Sequence, residues 1–105
     1  MSLRRRQQLV RLARRYDALI VTDDVYDQLQ WWSTPGGSLT REKGHHPQHA
    51  VVPRLVDVDR MLDGGPVDAF GNAVSNGSFS KIVAPGCRTG WAEGPEKLVW
   101  GISQT

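Results

Sequence analysis

The longest unbroken apolar run in this chain is four residues, Ala18-Leu19-Ile20-Val21. A bilayer-crossing helix needs about 20, and no apolar segment of export-signal type follows the basic N-terminus. A run of four residues makes a short strand, and its continuous apolarity predicts burial on both faces, as in a parallel sheet. Just upstream, Leu9, Leu12, Ala13 and Tyr16 recur at the spacing of one helix face, with Ser2 placed as N-cap, so a helix to about Tyr16 is predicted. Helix followed by buried strand is the order of an α/β protein.

The remainder of the 105 residues supports that class. The chain is 39% hydrophobic, with 11 Gly and 6 Pro, which is globular composition. Residues 33–50 are polar and rich in breakers and read as an exposed loop insertion. Val51 to Val58 reads as extended, Asp63-Gly64-Gly65-Pro66 as a turn, Asn72 to Phe79 as a second strand and Thr89 to Glu93 as a third. Pro95 suits the first position of a closing helix over about Glu96 to Ser103. The expected fold is α/β, a mostly parallel sheet flanked by helices on both faces. Three strands and two helices do not complete a doubly wound sheet, so residues 1–105 are expected to be a section of a larger domain.

Charge is segregated although the net value is only +2: six arginines and no acid occupy residues 1–16, and four aspartates and no base occupy residues 17–30. Arg4, Arg5, Arg6, Arg11, Arg14 and Arg15 read as the solvated outer face of the first helix. The competing reading is a small basic nucleic-acid binder. The expectation is that neither nucleic acid nor membrane is a partner. The single cysteine, Cys87, excludes an internal disulfide and a multi-cysteine metal site, which suits a reducing, cytoplasmic setting. His45, His46 and His49 are interrupted by Pro47 and lack a completing acid or cysteine nearby, so no metal site is expected. Trp31 and Trp32 follow the aspartate-rich stretch and read as packing residues, with the lining of a substrate entrance as the rival use, and Phe79 and Trp91 are expected in the core.

Two segments carry chemistry. One is Ser78-Phe79-Ser80-Lys81-Ile82-Val83-Ala84-Pro85-Gly86-Cys87-Arg88-Thr89-Gly90-Trp91; the other is Thr22-Asp23-Asp24-Val25-Tyr26, at the end of the apolar strand, where open α/β sheets bind ligands. Taken singly, each residue has an ordinary use: a solvated lysine, a half-buried tyrosine, or an aspartate or serine capping a turn. Taken together, the first segment resembles the lysine segment of fold type I pyridoxal-phosphate enzymes of the aspartate aminotransferase superfamily, with Ser-x-x-Lys, a Pro-Gly turn and Arg-x-Gly. Its Ser-Phe-Ser-Lys form is similar to aminoadipate, aromatic and branched-chain aminotransferases. The second segment resembles the same family's Asp-x-x-Tyr motif.

The resemblance implies a role for each matching residue. Lys81 is the Schiff-base lysine and proton carrier. Asp23, three residues before Tyr26, faces the pyridine nitrogen, with Asp24 as its neighbouring competitor. Tyr26 donates to the cofactor's phenolic oxygen, and Ser78, Ser80 and Arg88 hold the phosphate. The implied cofactor is pyridoxal 5'-phosphate, the implied reaction is amino transfer from an amino acid, with 2-aminoadipate or an aromatic one as the expected donor, to a 2-oxo acid, and the full-length parent is expected to be a homodimer. The family's Asn-Pro-x-Gly loop and late carboxylate-binding arginine are not found here, so the 105-residue chain is expected to be inactive by itself. The alternative within the resemblance is a catalytically dead remnant serving only as an interaction module.

Overall fold

The computed structural model describes residues 1–29 and 53–105. Helix α1 (Leu3–Arg15) leads to strand β1 (Ile20–Asp23), then come helix α2 (Leu55–Met61), strands β2 (Ala73–Ser78) and β3 (Gly90–Glu93), and helix α3 (Glu96–Ser103). Short 3-10 turns follow α2 at Leu62–Gly64 and β2 at Phe79–Lys81.

Among the described residues the sheet has the order β1-β2-β3 and is mixed. β1 and β2 are parallel, with Ile20 opposite Ala73 and Asp23 opposite Asn76; β2 and β3 are antiparallel, with Gly77 opposite Trp91 and Ser78 opposite Gly90. The mostly parallel sheet expected from sequence is therefore corrected. Its cause is loop length: a parallel crossover needs a dozen or more residues, and the segment between Ser78 and Gly90 is shorter than that, so β3 returns antiparallel.

Among the described residues, helices α1 and α2 pack on one face of the sheet, while Val74 is buried on the other, beside Gly94. Val10 of α1, Leu55, Val56 and Val58 of α2 and Ala73 of β2 form the buried cluster, with Leu9, Ile20 and Leu62 packed on it. The apolar run does not make a strand buried on both faces, because only Ile20 and Val21 of it lie in β1 and Val21 is 68% exposed on the side away from the helices. Residues 53–61 correct the expectation of an extended segment. Leu55, Val56, Val58 and Asp59 are spaced to bury one helix face, and Asp57 accepts a bond from the Arg54 backbone N–H at the N-terminus.

The α1 stripe is also rotated from its expected position. Val10 and Ala13 are buried, whereas Leu12 and Tyr16 are exposed. The rotation follows from Arg14, which the sequence placed in solvent. Its guanidinium turns inward to Asp59, donating to Oδ1 from Nε at 3.2 Å and Nη2 at 2.9 Å, and it also reaches the Asp59 and Leu62 carbonyls. Arg6 similarly donates to the Pro53 carbonyl at 2.8 Å, and Arg11 forms a surface fork with Asp63. Arg6, Arg11 and Arg14 of the basic N-terminal cluster thus hydrogen-bond to other parts of the chain, and Arg15 lies over the Tyr16 ring. At the helix ends, Ser2 occupies the N-cap of α1 without a side-chain bond, and Pro95 is the N-cap of α3 rather than its first residue.

Phe79 and Trp91 pack on each other, ring centroids 4.9 Å apart, rather than in the main cluster; Phe79 is 38% exposed. Cys87 is exposed. The expectations for Trp31, Trp32, the three histidines and the loop 33–50 lie outside the described residues. Among the described residues no helix is long and apolar enough to cross a membrane.

Removing one member of a buried ion pair strands the other, typically at a cost of about 3–5 kcal/mol. Asp59→Ala is therefore expected to lower the unfolding free energy by an amount in that range in urea denaturation, while Arg11→Ala, which breaks a solvent-screened pair, leaves the midpoint nearly unchanged. Equal effects of the two substitutions would contradict this account.

Candidate functional site

Parallel pairing of β1 with β2 puts their C-terminal ends on one edge of the sheet, and the antiparallel return puts the N-terminal end of β3 on the same edge. All six candidate residues lie there. Asp23 ends β1, Tyr26 follows in the turn, Ser78 ends β2, Ser80 and Lys81 form the next 3-10 turn, and Arg88 precedes β3.

The clearest juxtaposition is between two of these. The Lys81 ammonium lies 5.7 Å from the centroid of the Tyr26 ring, joining segments more than fifty residues apart in sequence. Both side chains are exposed. Asp23 is also exposed, and its carboxylate has no hydrogen bond or ion pair among the described residues. Asp24 is engaged instead: its Oδ2 accepts the hydroxyls of Thr22 and Ser75, each at 2.6 Å. Of the two adjacent acids, Asp23 is the one left available to a ligand.

On the other side of the edge, Ser78 Oγ accepts the Ser80 backbone N–H at 3.1 Å, which leaves the Ser78 hydroxyl proton available to an external acceptor. The Ala84–Cys87 turn closes with the Cys87 N–H on the Ala84 carbonyl, and the Phe79 N–H then bonds the Thr89 carbonyl at 3.1 Å. The Pro85-Gly86 turn therefore returns the Arg88 backbone beside Ser78 and Phe79. Arg88 is exposed and has φ 50°, a left-handed conformation that disfavours a side chain by roughly 1–2 kcal/mol.

Two glycines make this geometry possible. A Cβ on Gly90 would sit 2.6 Å from the Gly77 carbonyl oxygen, and one on Gly77 would collide with the Trp91 indole.

Sequence reasoning also missed an ion network behind the site. The Arg54 guanidinium bonds Asp57 and Glu93, and lies 3.5 Å from Asp27, the residue after Tyr26. Bonding to Arg54, with help from Arg60, holds the Glu93 carboxyl below the usual carboxylate range, overcoming the opposing effect of desolvation. Arg54 is correspondingly held above the usual arginine value by Glu93 and then Asp57. The partners are distant in sequence, so only the charge inventory signalled them. Among the described residues no group of three or more His, Cys, Asp or Glu side chains is placed to hold a metal ion.

Known proteins are similar to this sequence. The chain is 45% identical over 92 residues to an uncharacterized protein of Saccharomyces cerevisiae, a match covering 88% of this chain and 18% of that protein. It is 34% identical over 107 residues to an aromatic amino acid aminotransferase of Schizosaccharomyces pombe, covering 99% of this chain and 20% of the relative. It is also 34% identical over 94 residues to an L-tyrosine:2-oxoglutarate aminotransferase of Tapinella panuoides, covering 86% and 16% respectively. No family profile matches the chain, and no solved structure matches it. The chain thus spans less than a quarter of the length of these curated relatives, and nearly all of it is similar to a section of proteins named as aminotransferases.

Because Glu93 ionises at lower pH when folded, its stabilisation is complete above the unfolded value near 4.5 and is lost as pH falls through the lower folded value. Glu93→Gln should therefore melt below wild type at neutral pH, with the gap narrowing below about pH 4; a pH-independent gap would contradict the assignment. Gly77→Ala is expected to cost about 1–3 kcal/mol and to alter tryptophan emission as Trp91 is displaced. Unchanged stability and emission would mean that Trp91 does not rest on Gly77.

Proposed function

We propose that this chain is a section of the large domain of a pyridoxal-phosphate aminotransferase and carries part of its cofactor site. The observation that carries the reading is the Lys81 ammonium beside the Tyr26 ring, on the sheet edge that also bears an unengaged Asp23 carboxylate. The donor set fits the cofactor: a primary amine for its aldehyde, an acid for its ring nitrogen, and an exposed guanidinium and hydroxyls for its phosphate.

Bound pyridoxal phosphate supplies an electron-withdrawing ring that stabilises negative charge at the substrate Cα. The Lys81 amine would hold the cofactor through its aldehyde and, as a free base, would move a proton at the substrate Cα. Asp23 keeps the ring nitrogen protonated, since a neighbouring carboxylate favours the cationic form. The Tyr26 hydroxyl donates to the phenolic oxygen. Arg88 offers a planar fork to the phosphate, with Ser78 and Ser80 adding directional donors. Placing Arg88 in a strained backbone conformation is consistent with a residue held for ligand contact.

The substrates on this reading are an amino acid and a 2-oxo acid. The names of the Schizosaccharomyces and Tapinella relatives favour an aromatic amino acid over 2-aminoadipate. The full-length enzyme is proposed to be a cytoplasmic homodimer.

The test is covalent trapping. After incubation with pyridoxal phosphate and borohydride reduction, peptide mapping should place the pyridoxyl tag on Lys81, and Lys81→Ala should abolish it. A tag that persists in that variant, or that favours Lys43 or Lys97, would overturn the proposal.

A further inference from the structure

The Asp23–Tyr26 motif contains a second aspartate whose role the proposed chemistry does not use. The Asp24 N–H bonds the Asn76 carbonyl at 2.8 Å, continuing the β1–β2 ladder beyond the end of β1. Its side chain turns back toward the helix-covered face, where Oδ2 takes both the Thr22 and Ser75 hydroxyls. Ser75 is 0% exposed, so its hydroxyl has no access to water and depends on this carboxylate. An ionised carboxylate accepts from two hydroxyls while donating to neither, which makes the arrangement short and directional.

The chain turns immediately afterwards. The Asp27 N–H bonds the Asp24 carbonyl at 3.0 Å and the Leu29 N–H bonds the Tyr26 carbonyl at 2.9 Å, so Asp24 opens the turn in which Tyr26 is the third residue. The far side of that turn is restrained by Arg54, 3.5 Å from Asp27. Tyr26 itself is 58% exposed, so little packing of its own ring fixes its position.

We infer that Asp24 is a positioning residue: by clamping the Thr22 and Ser75 hydroxyls it sets the turn that holds the Tyr26 ring against the Lys81 ammonium. The meaning of this for catalysis rests on the proposed cofactor site, but the clamp is a property of the chain without any cofactor. It also separates the adjacent acids, Asp24 anchored on the covered face and Asp23 left on the open one.

A ring-current measurement on the 105-residue chain tests the inference. The ε-methylene protons of Lys81, assigned by their loss in Lys81→Arg, should lie upfield of an unstacked lysine and return to the unstacked position in Tyr26→Leu. Asp24→Ala should lose most of that upfield displacement at a temperature where circular dichroism shows the chain folded, and Asp24→Asn, which keeps an acceptor oxygen, should restore part of it. Should Asp24→Ala fail to fold, Ser75→Ala is the deciding variant, with a smaller but measurable loss expected. A full displacement in folded Asp24→Ala, or in Ser75→Ala where the former is unfolded, would overturn the inference, as would its absence from wild type. The borohydride tag is read separately. Loss of displacement in Asp24→Ala together with no tag on wild-type Lys81 would sustain the clamp and refute the cofactor reading.

Discussion

The Asp59 carboxylate joins the described elements of this chain. One oxygen holds Arg14 of α1, and the other accepts the Asn72 backbone N–H at 2.8 Å immediately before β2. Asn72 passes the restraint on: its side chain donates to the Ala18 carbonyl and its own carbonyl accepts the Ile20 N–H, which starts the β1–β2 ladder. Helix α1, helix α2 and the first rung of the parallel pair are therefore set by one buried acid and its neighbours. Apolar packing alone would not fix this register, because the buried cluster is built mostly from small aliphatic side chains that tolerate sliding.

That register has consequences at the opposite end of the strands. With Ile20 opposite Ala73, Asp23 falls opposite Asn76, and the turns after both strands emerge on one edge. A slip by one residue would carry Asp23 to the helix-covered face and remove its carboxylate from the open side. The Lys81–Tyr26 stack therefore depends on a pairing decided at the far end of the sheet. The β2–β3 hairpin completes the edge, and the absence of side chains at Gly77 and Gly90 lets the indole of Trp91 and the returning backbone approach closely.

Much of this was legible from residue order. Leu3–Arg15, Ala73–Ser78, Gly90–Glu93 and Glu96–Ser103 fall where periodicity and capping residues placed them, and the Ser-x-x-Lys and Asp-x-x-Tyr segments come near one another in the fold. Less legible was the stretch around Arg54, where valines at positions 56 and 58 suggest extension. Its helical face emerges only when Asp59 is counted as an inward residue, which requires knowing that Arg14 meets it. The same unseen pair caused Leu12 and Tyr16 to be assigned to the buried face of α1.

The sequence by itself determined the local elements and the chemical inventory, because helix spacing, turn residues and side-chain identity act over a few neighbouring positions. Tertiary structure alone decided which arginines turn inward, and that Asp24 is clamped while Asp23 stays open. Those outcomes depend on partners 45 to 51 residues away, Arg14 with Asp59 and Asp24 with Ser75. A charge or hydroxyl carries no mark in the sequence of which distant group will satisfy it; that choice is made only when burial removes water as the alternative.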